Sequence, residues 1–598
     1  MGATAVGVRR ALVALALVVT VAGVATSTGP AGAQTPSDGE RFVDAAAQDL
    51  LGRPATPEER SRWVAEVDGG GSRVAVAQEM THSREHASLV VTTLYRRALL
   101  RDPDAAGLAF WTDRLAAGRA TATLASQLYG SAEAFSKAGS DPATFVDATY
   151  RKLLGRPSDP AGRAYWAGRI AAGESRTVLA RSLYLSSESN GLRTVLVYLD
   201  LLRRPALVAE RPYWADRLTR TDDLDLEALI AGSSEYLDRA RDPGSLSRVA
   251  LTARFDGSGA PTISGDGRYV AFTSRDGRLV PGGARPHTDV FTLDRQVGRY
   301  AAVTRGDADS LTPDLSADGS TLVFSSAATN LVALDTNGRA DVFAVPTAGG
   351  AVRRLVAGNG DSTDPSVSGD GRVVAFTSTA SDLVAGADAT AHVHVATRGA
   401  GGGVTSIQRV GGDGPSQEPR LAAGGGALVF TSSATDLAPG TTPGTTNALW
   451  ASLPLAGGDV VALTTEGAVG ILGRSEPGIS ADGTVVGFTV ASDELGPSLL
   501  LSRAHTARIE DGAVVDRRPL PPAELATEVV IGDDGDSAAV TTVRQVSGRP
   551  YVVGEHHRPL DAPAVDVDGD GDLSADGRTL VATARGPVST SHVALRTF

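Results

Sequence analysis

The chain has 598 residues, 42% of them hydrophobic and 21% charged, with 56 basic against 69 acidic side chains and a net charge of -13. That is room for about four domains and an ordinary globular balance, which excludes wholesale disorder and a polytopic membrane protein; the acidic excess excludes a nucleic-acid binder that works through a concentrated basic face. With no cysteine, disulfides, thiol nucleophiles, zinc ribbons, iron–sulfur clusters and a lipidated N-terminal cysteine are excluded as well.

Residues 1–33 read as a signal peptide. Arg9 and Arg10 form a positive start, Ala11 to Ala25 is uncharged and apolar, and Ala31-Gly32-Ala33 ends in a small-x-small cleavage pattern. The apolar run is short for a membrane span and is followed by Gly29-Pro30, so the general secretory route is expected, with the mature chain starting at Gln34. No second run of membrane length follows, so retention at a surface would need a binding partner. A short linker, 34–39, leads into the first repeats.

Four of the five tryptophans, Trp63, Trp111, Trp166 and Trp214, lie at gaps of 48, 55 and 48, which divides residues 40–142 from 143–243 as two helical modules. In the third copy Phe145, Tyr150, Leu153 and Leu154 share a helix face. Gly155 and Pro157 stop that helix, and Asp159-Pro160 reads as an N-cap followed by proline at the first helical position. A second helix carries Tyr165, Trp166 and Ile170, and a third runs through Val178, Leu183 and Tyr184 to close on Ser187-Glu188. The frame Phe145-Val146-Asp147-Ala148-Thr149-Tyr150, Leu154-Gly155-Arg156, Asp159-Pro160-Ala161-Gly162 and Tyr165-Trp166 resembles the DUF4214 family, helical modules of bacterial secreted and surface proteins related in fold to phycobilisome linkers. The resemblance covers roughly residues 40 to 242. In the first and fourth copies Asp-Pro-x-x-Gly is worn to Thr56-Pro57-Glu58-Glu59-Arg60 and Leu207-Val208-Ala209-Glu210-Arg211. Capping and core packing are the simple roles for Asp104, Asp159 and the tryptophans.

From about Leu246 helical spacing gives way to short Val/Phe/Thr runs punctuated by Asp-Gly. Seven copies of a unit such as Ile263-Ser264-Gly265-Asp266-Gly267-Arg268-Tyr269 follow one another at steps of 52, 52, 54, 58, 52 and 42, a spacing that suits one four-stranded propeller blade per copy. Asp-Gly between apolar strands marks a tight hairpin, because the turn requires a positive φ that glycine adopts freely. The last copy ends after its third strand at Phe598, and the missing strand is present ahead of the first copy as Arg248-Val249-Ala250-Leu251-Thr252. The expected fold is therefore α plus all-β: helical repeats, then a seven-bladed β-propeller over 246–598, closed by that N-terminal strand. The repeats resemble the WD40-like (PD40) blades of TolB-type proteins.

Some propellers so resembled cap a serine peptidase, but no Gly-x-Ser-x-Gly elbow and no further domain are present, and neither is a phosphate loop or dinucleotide fingerprint. His556 and His557 are adjacent and would face opposite ways in a strand; His392 and His394 share a face without a third ligand. The run Asp566-Val567-Asp568-Gly569-Asp570-Gly571-Asp572 places acids at alternate positions around a bend, as a Ca²⁺ loop does, so Asp566, Asp568, Asp570 and Asp572 are candidate Ca²⁺ ligands. It departs from the EF-hand pattern, since the twelfth position is Gly577, and an acidic connection between blades explains it equally. Asp335-Thr336-Asn337-Gly338 with Asp341 is a weaker case. The expected function is a secreted, non-enzymatic binding or scaffolding protein whose partner is a protein or a cell-surface glycan, with no catalytic residues and no membrane span in the mature chain. The alternative is a hydrolase or lyase in the propeller's central funnel; two or more carboxylates and a histidine converging on the axis would favour it.

Overall fold

The computed structural model describes residues 35–597 except 242–248, 252–257, 283–285, 334, 440, 442–445, 456–459, 465–476, 493–500, 521–525, 547–548, 558–564, 568–570, 576–578 and 586–590. The segment 1–33 read as a signal peptide, Asp568 and Asp570 fall outside the described residues. Asp38 to Phe598 forms one compact unit.

The first repeat is α1 (Asp38–Ala46), continued by a π-helical turn at Ala47–Leu51, with α2 (Pro57–Asp68) and α3 (Arg73–Thr81). The second is α4 (Arg84–Leu99), α5 (Ala105–Ala116) and α6 (Thr121–Tyr129), followed by a short α7 (Ala132–Lys137). Next come α8 (Pro142–Leu154), α9 (Pro160–Ala171) and α10 (Arg176–Tyr184), then α11 (Ser187–Leu202), α12 (Arg211–Arg217), α13 (Asp223–Ala231) and α14 (Ser234–Ala240). Asp104 and Asp159 cap α5 and α9 as expected, each accepting the amide of Gly107 or Gly162 at 2.7 Å. One boundary differs from expectation. The Ser-x-Glu motif opens a helix instead of closing one: Ser83, Ser131, Ser186 and Ser233 are N-caps, accepting amides of His86, Ala134, Ser189 and Tyr236 at 3.0–3.2 Å. The physical reason is that the serine satisfies an orphan amide while the glutamate lies in the first turn, where the helix dipole favours a negative charge.

The repeats pack in a nested order. One core joins the first repeat to the fourth through Phe42, Trp63, Met80, Leu226 and Tyr236; the other joins the second to the third through Leu124, Leu128, Leu179 and Leu183. Two glycines allow this. A β-carbon on Gly130, after α6, would lie 2.6 Å from Cα of Thr177 in α10, and one on Gly232, after α13, 2.7 Å from Cα of Val74 in α3.

The second half is seven four-stranded antiparallel sheets, spanning 259–302, 310–356, 362–409, 416–462, 478–519, 526–567 and 571–597. In the last of these Val249 and Ala250 pair with Leu595 and Ala594. The hairpin glycines have the required positive φ: Gly267 69°, Gly319 67°, Gly371 71°, Gly425 71°, Gly483 77° and Gly535 67°. Within a copy the turn serine accepts an amide two positions past the glycine and donates to the turn aspartate, as in Ser264–Tyr269 (2.9 Å) and Ser264–Asp266 (2.7 Å). Buried phenylalanines stack across the middle strands, Phe272 on Phe291 at 5.8 Å and Phe324 on Phe343 at 5.5 Å.

The first strand of each sheet packs on that of the next, and the seventh sheet's on the first's. Backbone bonds link successive turns: Gly265 to Ala317, Asp318 to Gly369, Gly369 to Ala423, Gly424 to Ala481, Ala481 to Asp533, and Ala575 back to Gly265. The helical half is seated on the first sheet, whose Phe272, Phe291 and Tyr300 belong to the same core as Phe42 and Tyr236. Arg299 donates to the Leu154 carbonyl at 3.1 Å and pairs with Glu188 at 3.0 Å.

Candidate functional site

The side chains that converge come from the first strands of the sheets. Each of the first four is interrupted by a bulge, between Gly259 and Thr262, Leu311 and Asp314, Thr363 and Ser366, and Gln417 and Arg420. In each bulge one non-glycine residue has a positive φ: Ala260 46°, Thr312 46°, Asp364 49° and Glu418 54°. Such a conformation costs about 1–3 kcal/mol and persists only where its surroundings impose it. A proline follows each of them, and the bulge re-aims the residue after that proline.

That residue is Thr262, Asp314, Ser366 and Arg420 in turn, and Asp572 at the matching place in the seventh sheet. All but Arg420 accept an amide from the following sheet: Thr262 from Leu315 (3.4 Å), Asp314 from Val367 (2.8 Å), Ser366 from Leu421 (3.0 Å) and Asp572 from Ile263 (2.9 Å). Thr262 also donates its hydroxyl to Asp572 at 2.9 Å and lies 3.4 Å from Asp314.

Electrostatically these groups form one cluster. Burial raises the Asp314 carboxyl and pushes Asp572 up to about 6; the Asp314 charge adds to the shift of Asp572, and the Arg420 guanidinium opposes both shifts. Asp533, in the turn of the sixth sheet, is raised by burial and by the Asp534 and Asp314 charges. Arg420 belongs to the fourth sheet and Asp572 to the seventh, so side chains on the first strands of sheets distant in the chain act on one another. Carboxylates and one arginine therefore meet there, and no histidine among the described residues joins them.

Three described histidines lie elsewhere. His392 and His394 sit on the third strand of the third sheet, both buried. His394 stacks on Phe376 at 5.5 Å, in the place of Phe291 and Phe343, and burial lowers it to about 4. His505 stacks likewise on Phe488 at 5.9 Å.

Of the candidate Ca²⁺ ligands, Asp566 stands opposite Glu555 on the last strand of the sixth sheet, whereas Asp572 stands opposite Val581 on the first strand of the seventh. The run is thus the connection between two sheets, and Asp572 turns its carboxylate to the first sheet. Among the described residues no group of three or more acids or histidines is arranged to hold a metal. The weaker candidate resolves differently: Asp335 and Asp341 do converge, but on Arg354, at 2.9 and 3.1 Å, with the Asn337 amide 3.2 Å from Asp341. An internal guanidinium supplies the cation.

The helical half repeats one charged device that sequence reasoning missed. The arginine after each first helix grips, with two nitrogens, the glutamate that opens the helix 31 or 32 residues later: Arg53–Glu85, Arg101–Glu133, Arg156–Glu188 and Arg204–Glu235. In the copies that looked worn, Glu59 and Glu210 give that arginine a second carboxylate, at 2.9 Å in both. Arg53 holds the Glu59 carboxyl down near 2. Elsewhere a glycine occupies this place because a β-carbon on Gly107 or Gly162 would lie 2.8 or 3.0 Å from the hydroxyl of Tyr95 or Tyr150. The recurring Leu-x-Arg with Ser-x-Glu was the available signal.

Residues 125–192 match the family DUF4214, described as a domain of unknown function. No curated protein matches the chain. Among solved structures, TolB from Acinetobacter baumannii is similar at 14% identity and TM-score 0.31, over 52% of this chain and 76% of that one. The β-propeller domain of the Trilobed protease from Pyrococcus furiosus is similar at 9% identity and TM-score 0.38, over 57% and 96%, and an oligogalacturonate lyase in complex with manganese at 13% and 0.38, over 59% and 93%. At these scores the likenesses carry no functional argument. The chain joins helices that match DUF4214 to antiparallel sheets similar to those of TolB-type propellers.

Proposed function

We propose that this is an exported, non-enzymatic binding or scaffolding protein in which the seven sheets are blades of a closed propeller and the helical repeats form a platform fixed to the first blade. Closure is supported by the strand Val249–Ala250 completing the last sheet and by the Ala575–Gly265 and Asp572–Ile263 bonds that tie the last sheet to the first. Export is supported by the Arg9-Arg10, apolar and Ala-Gly-Ala succession at the N-terminus.

The observation that carries the reading is the use made of the axial acids. Asp314 and Asp572 spend their oxygens on amides of neighbouring sheets, which is a structural occupation, and among the described residues no histidine stands beside them to exchange a proton. A partner, protein or cell-surface glycan, then meets the blade rims or the helical platform. One observation favours the other reading, a funnel hydrolase or lyase: Asp572, near 6 and tied through Thr262 to Asp314, has the form of a paired-carboxylate acid. Purified mature protein decides between them. The binding reading expects retention on cell-envelope fractions and no turnover of peptide or uronide substrates; saturable turnover that disappears in Asp314→Asn would replace it with the enzymatic one.

A further inference from the structure

Neighbouring sheets pack through side chains that cross from one to the next, and the fourth and fifth sheets show a filled groove. Trp450, on the third strand of the fourth sheet, reaches the hairpin turn of the fifth. Its Nε1 donates to the Gly483 carbonyl at 3.0 Å, and its ring shares a core with Ile479 and Val486.

Register identifies the matching residues one sheet further on. The phenylalanine five places past the turn glycine is Phe430 in the fourth sheet and Phe488 in the fifth. Phe430 stands opposite Leu449 and Val429 opposite Trp450; Phe488 stands opposite His505 and Gly487 opposite Thr506. Thr506 therefore occupies the place of Trp450, and Gly535, in the turn of the sixth sheet, that of Gly483. Where Val429 has become Gly487 the sixth sheet closes in, since a β-carbon there would lie 2.4 Å from Cγ1 of Val529. The indole has no such replacement.

A cavity of about 400 Å³ remains, lined by Thr506 and Gly535 over Val485, Ala507 and Leu520, which are buried. Thr506 is only 8% exposed, and among the described residues neither its hydroxyl nor the Gly535 carbonyl has a hydrogen-bond partner. The walls carry Arg508, Arg518, Asp516 and Asp536, with Arg518 paired to Asp516 at 2.7 Å. Two positive and two negative side chains balance, so the cavity selects neither an anion nor a cation.

We propose that this cavity is a binding site for an aromatic side chain of a protein partner, a tryptophan whose N–H reaches the Gly535 carbonyl as that of Trp450 reaches Gly483. A void of about 150 Å³ suffices for benzene, so this one admits an indole. An aliphatic floor with a few placed polar groups suits a large apolar body carrying one donor, and tryptophan is enriched among the residues that anchor protein interfaces. A sugar would set hydroxyls against Val485 and Leu520, where they find no partner. The inference rests on the binding reading for the source of the aromatic group. The cavity lies apart from the axial acids, so turnover lost in Asp314→Asn would end that reading without deciding whether an indole binds here.

The test uses residues 34–598 with N-acetyltryptophanamide as the probe, followed by calorimetry and by melting temperature. The probe binds and raises the melting temperature at about 10 mM, since a ligand of the folded state stabilises it by RT ln(1 + [L]/Kd); N-acetylglycinamide and methyl glucoside do neither. The probe methylated on its ring nitrogen binds at least about tenfold more weakly, the loss expected when a covered carbonyl is left unpaired. Thr506→Trp fills the cavity from within, so it abolishes binding and melts no lower than the parent. No binding by the parent, equal binding of the methylated probe, binding that persists in Thr506→Trp, or a Thr506→Trp variant that melts below the parent would overturn the proposal. Methyl glucoside bound more tightly than the probe would overturn it in favour of a glycan, and a parent dimer that Thr506→Trp dissolves would do so in favour of a second copy of this chain.

Discussion

Gly130→Ala tests the nested packing of the repeats most directly. In isolation a glycine-to-alanine change at a helix end with ordinary negative φ is neutral or favourable, because it reduces the freedom of the unfolded chain. Here the new β-carbon meets Cα and N of Thr177 at 2.6 and 2.7 Å and the Ser126 carbonyl at 2.8 Å. Ordinary contact needs about 3.5 Å, so α6 and α10 must separate by the better part of an ångström, and a gap of about 0.5–1 Å forfeits a quarter to a half of each contact's attraction. Leu124, Leu128, Leu179 and Leu183 all lie in that contact, and the expected loss is about 1–3 kcal/mol. Gly232→Ala, against Val74, should lose a similar amount. Gly168, inside α9, is the control: nothing lies within 4 Å of its would-be β-carbon, so Gly168→Ala should gain about 0.5–1 kcal/mol. Urea unfolding of residues 34–598, followed by helical circular dichroism, gives all three. If Gly130→Ala and Gly232→Ala were as stable as the parent or stabler, the second and third repeats would not be packed on each other as described, nor the fourth on the first.

Asp572→Asn should change the pH dependence of stability. The folded carboxyl titrates near 6 against an ordinary 3.8, so its protonated form favours folding below pH 4 and that contribution is lost as the pH rises through 6. The asparagine variant should match the parent at about pH 4 and exceed it by up to about 3 kcal/mol at pH 8; a difference that is constant with pH refutes the assignment. Removing residues 34–245 uncovers Val297 and Tyr300 and takes Glu188 from Arg299, so the strand half alone should melt below the full chain. Trimming it further through residue 253, which removes the strand paired with Leu595 and Ala594, should lower it again, and an unchanged melt would defeat the closure argument. For the acidic connection, calcium at about 5–10 mM should raise the melting temperature of the parent but not of the double variant Asp568→Ala, Asp570→Ala. Equal shifts in both would place the ion elsewhere, and no shift would leave the run a charged turn.

The helical repeats were legible because their determinants are local. Asp104 and Asp159 cap helices three residues away, and Gly155 ends one at a φ of 62°. The arginine clamps were not, since each joins residues 31 or 32 apart, beyond the reach of helix periodicity, and shows only when the recurring Leu-x-Arg and Ser-x-Glu are read together. Without the clamp Glu59 and Glu210 looked like decay of a glycine motif, when they are second carboxylates for Arg53 and Arg204. Tryptophan spacing reports neighbours in the chain, whereas Gly130 and Gly232 place the second repeat on the third and the fourth on the first.

The strand half shows the same limit at the axis. Counting alternate residues outward from each Asp-Gly turn identifies the faces of the middle strands, where Phe272 meets Phe291 and Phe324 meets Phe343 without a break in register. The first strands break that count, because Ala260, Thr312, Asp364 and Glu418 insert a positive-φ residue and shift the pairing beyond it. Alternation therefore misjudges which side chains reach the middle, and Asp314 and Arg420 pass unnoticed while Asp572 reads as part of an acidic loop. The repeated x-Pro-x at Pro261, Pro313, Pro365 and Pro419, each three residues ahead of the turn, was the trace of that shift, since proline is admitted within a sheet mainly at edges and bulges. The bulge strain and the axial charges therefore have one cause: the kink that breaks the alternation turns the following residue toward the next sheet, where an aspartate is useful as an acceptor and, once gathered with others, becomes hard to ionise.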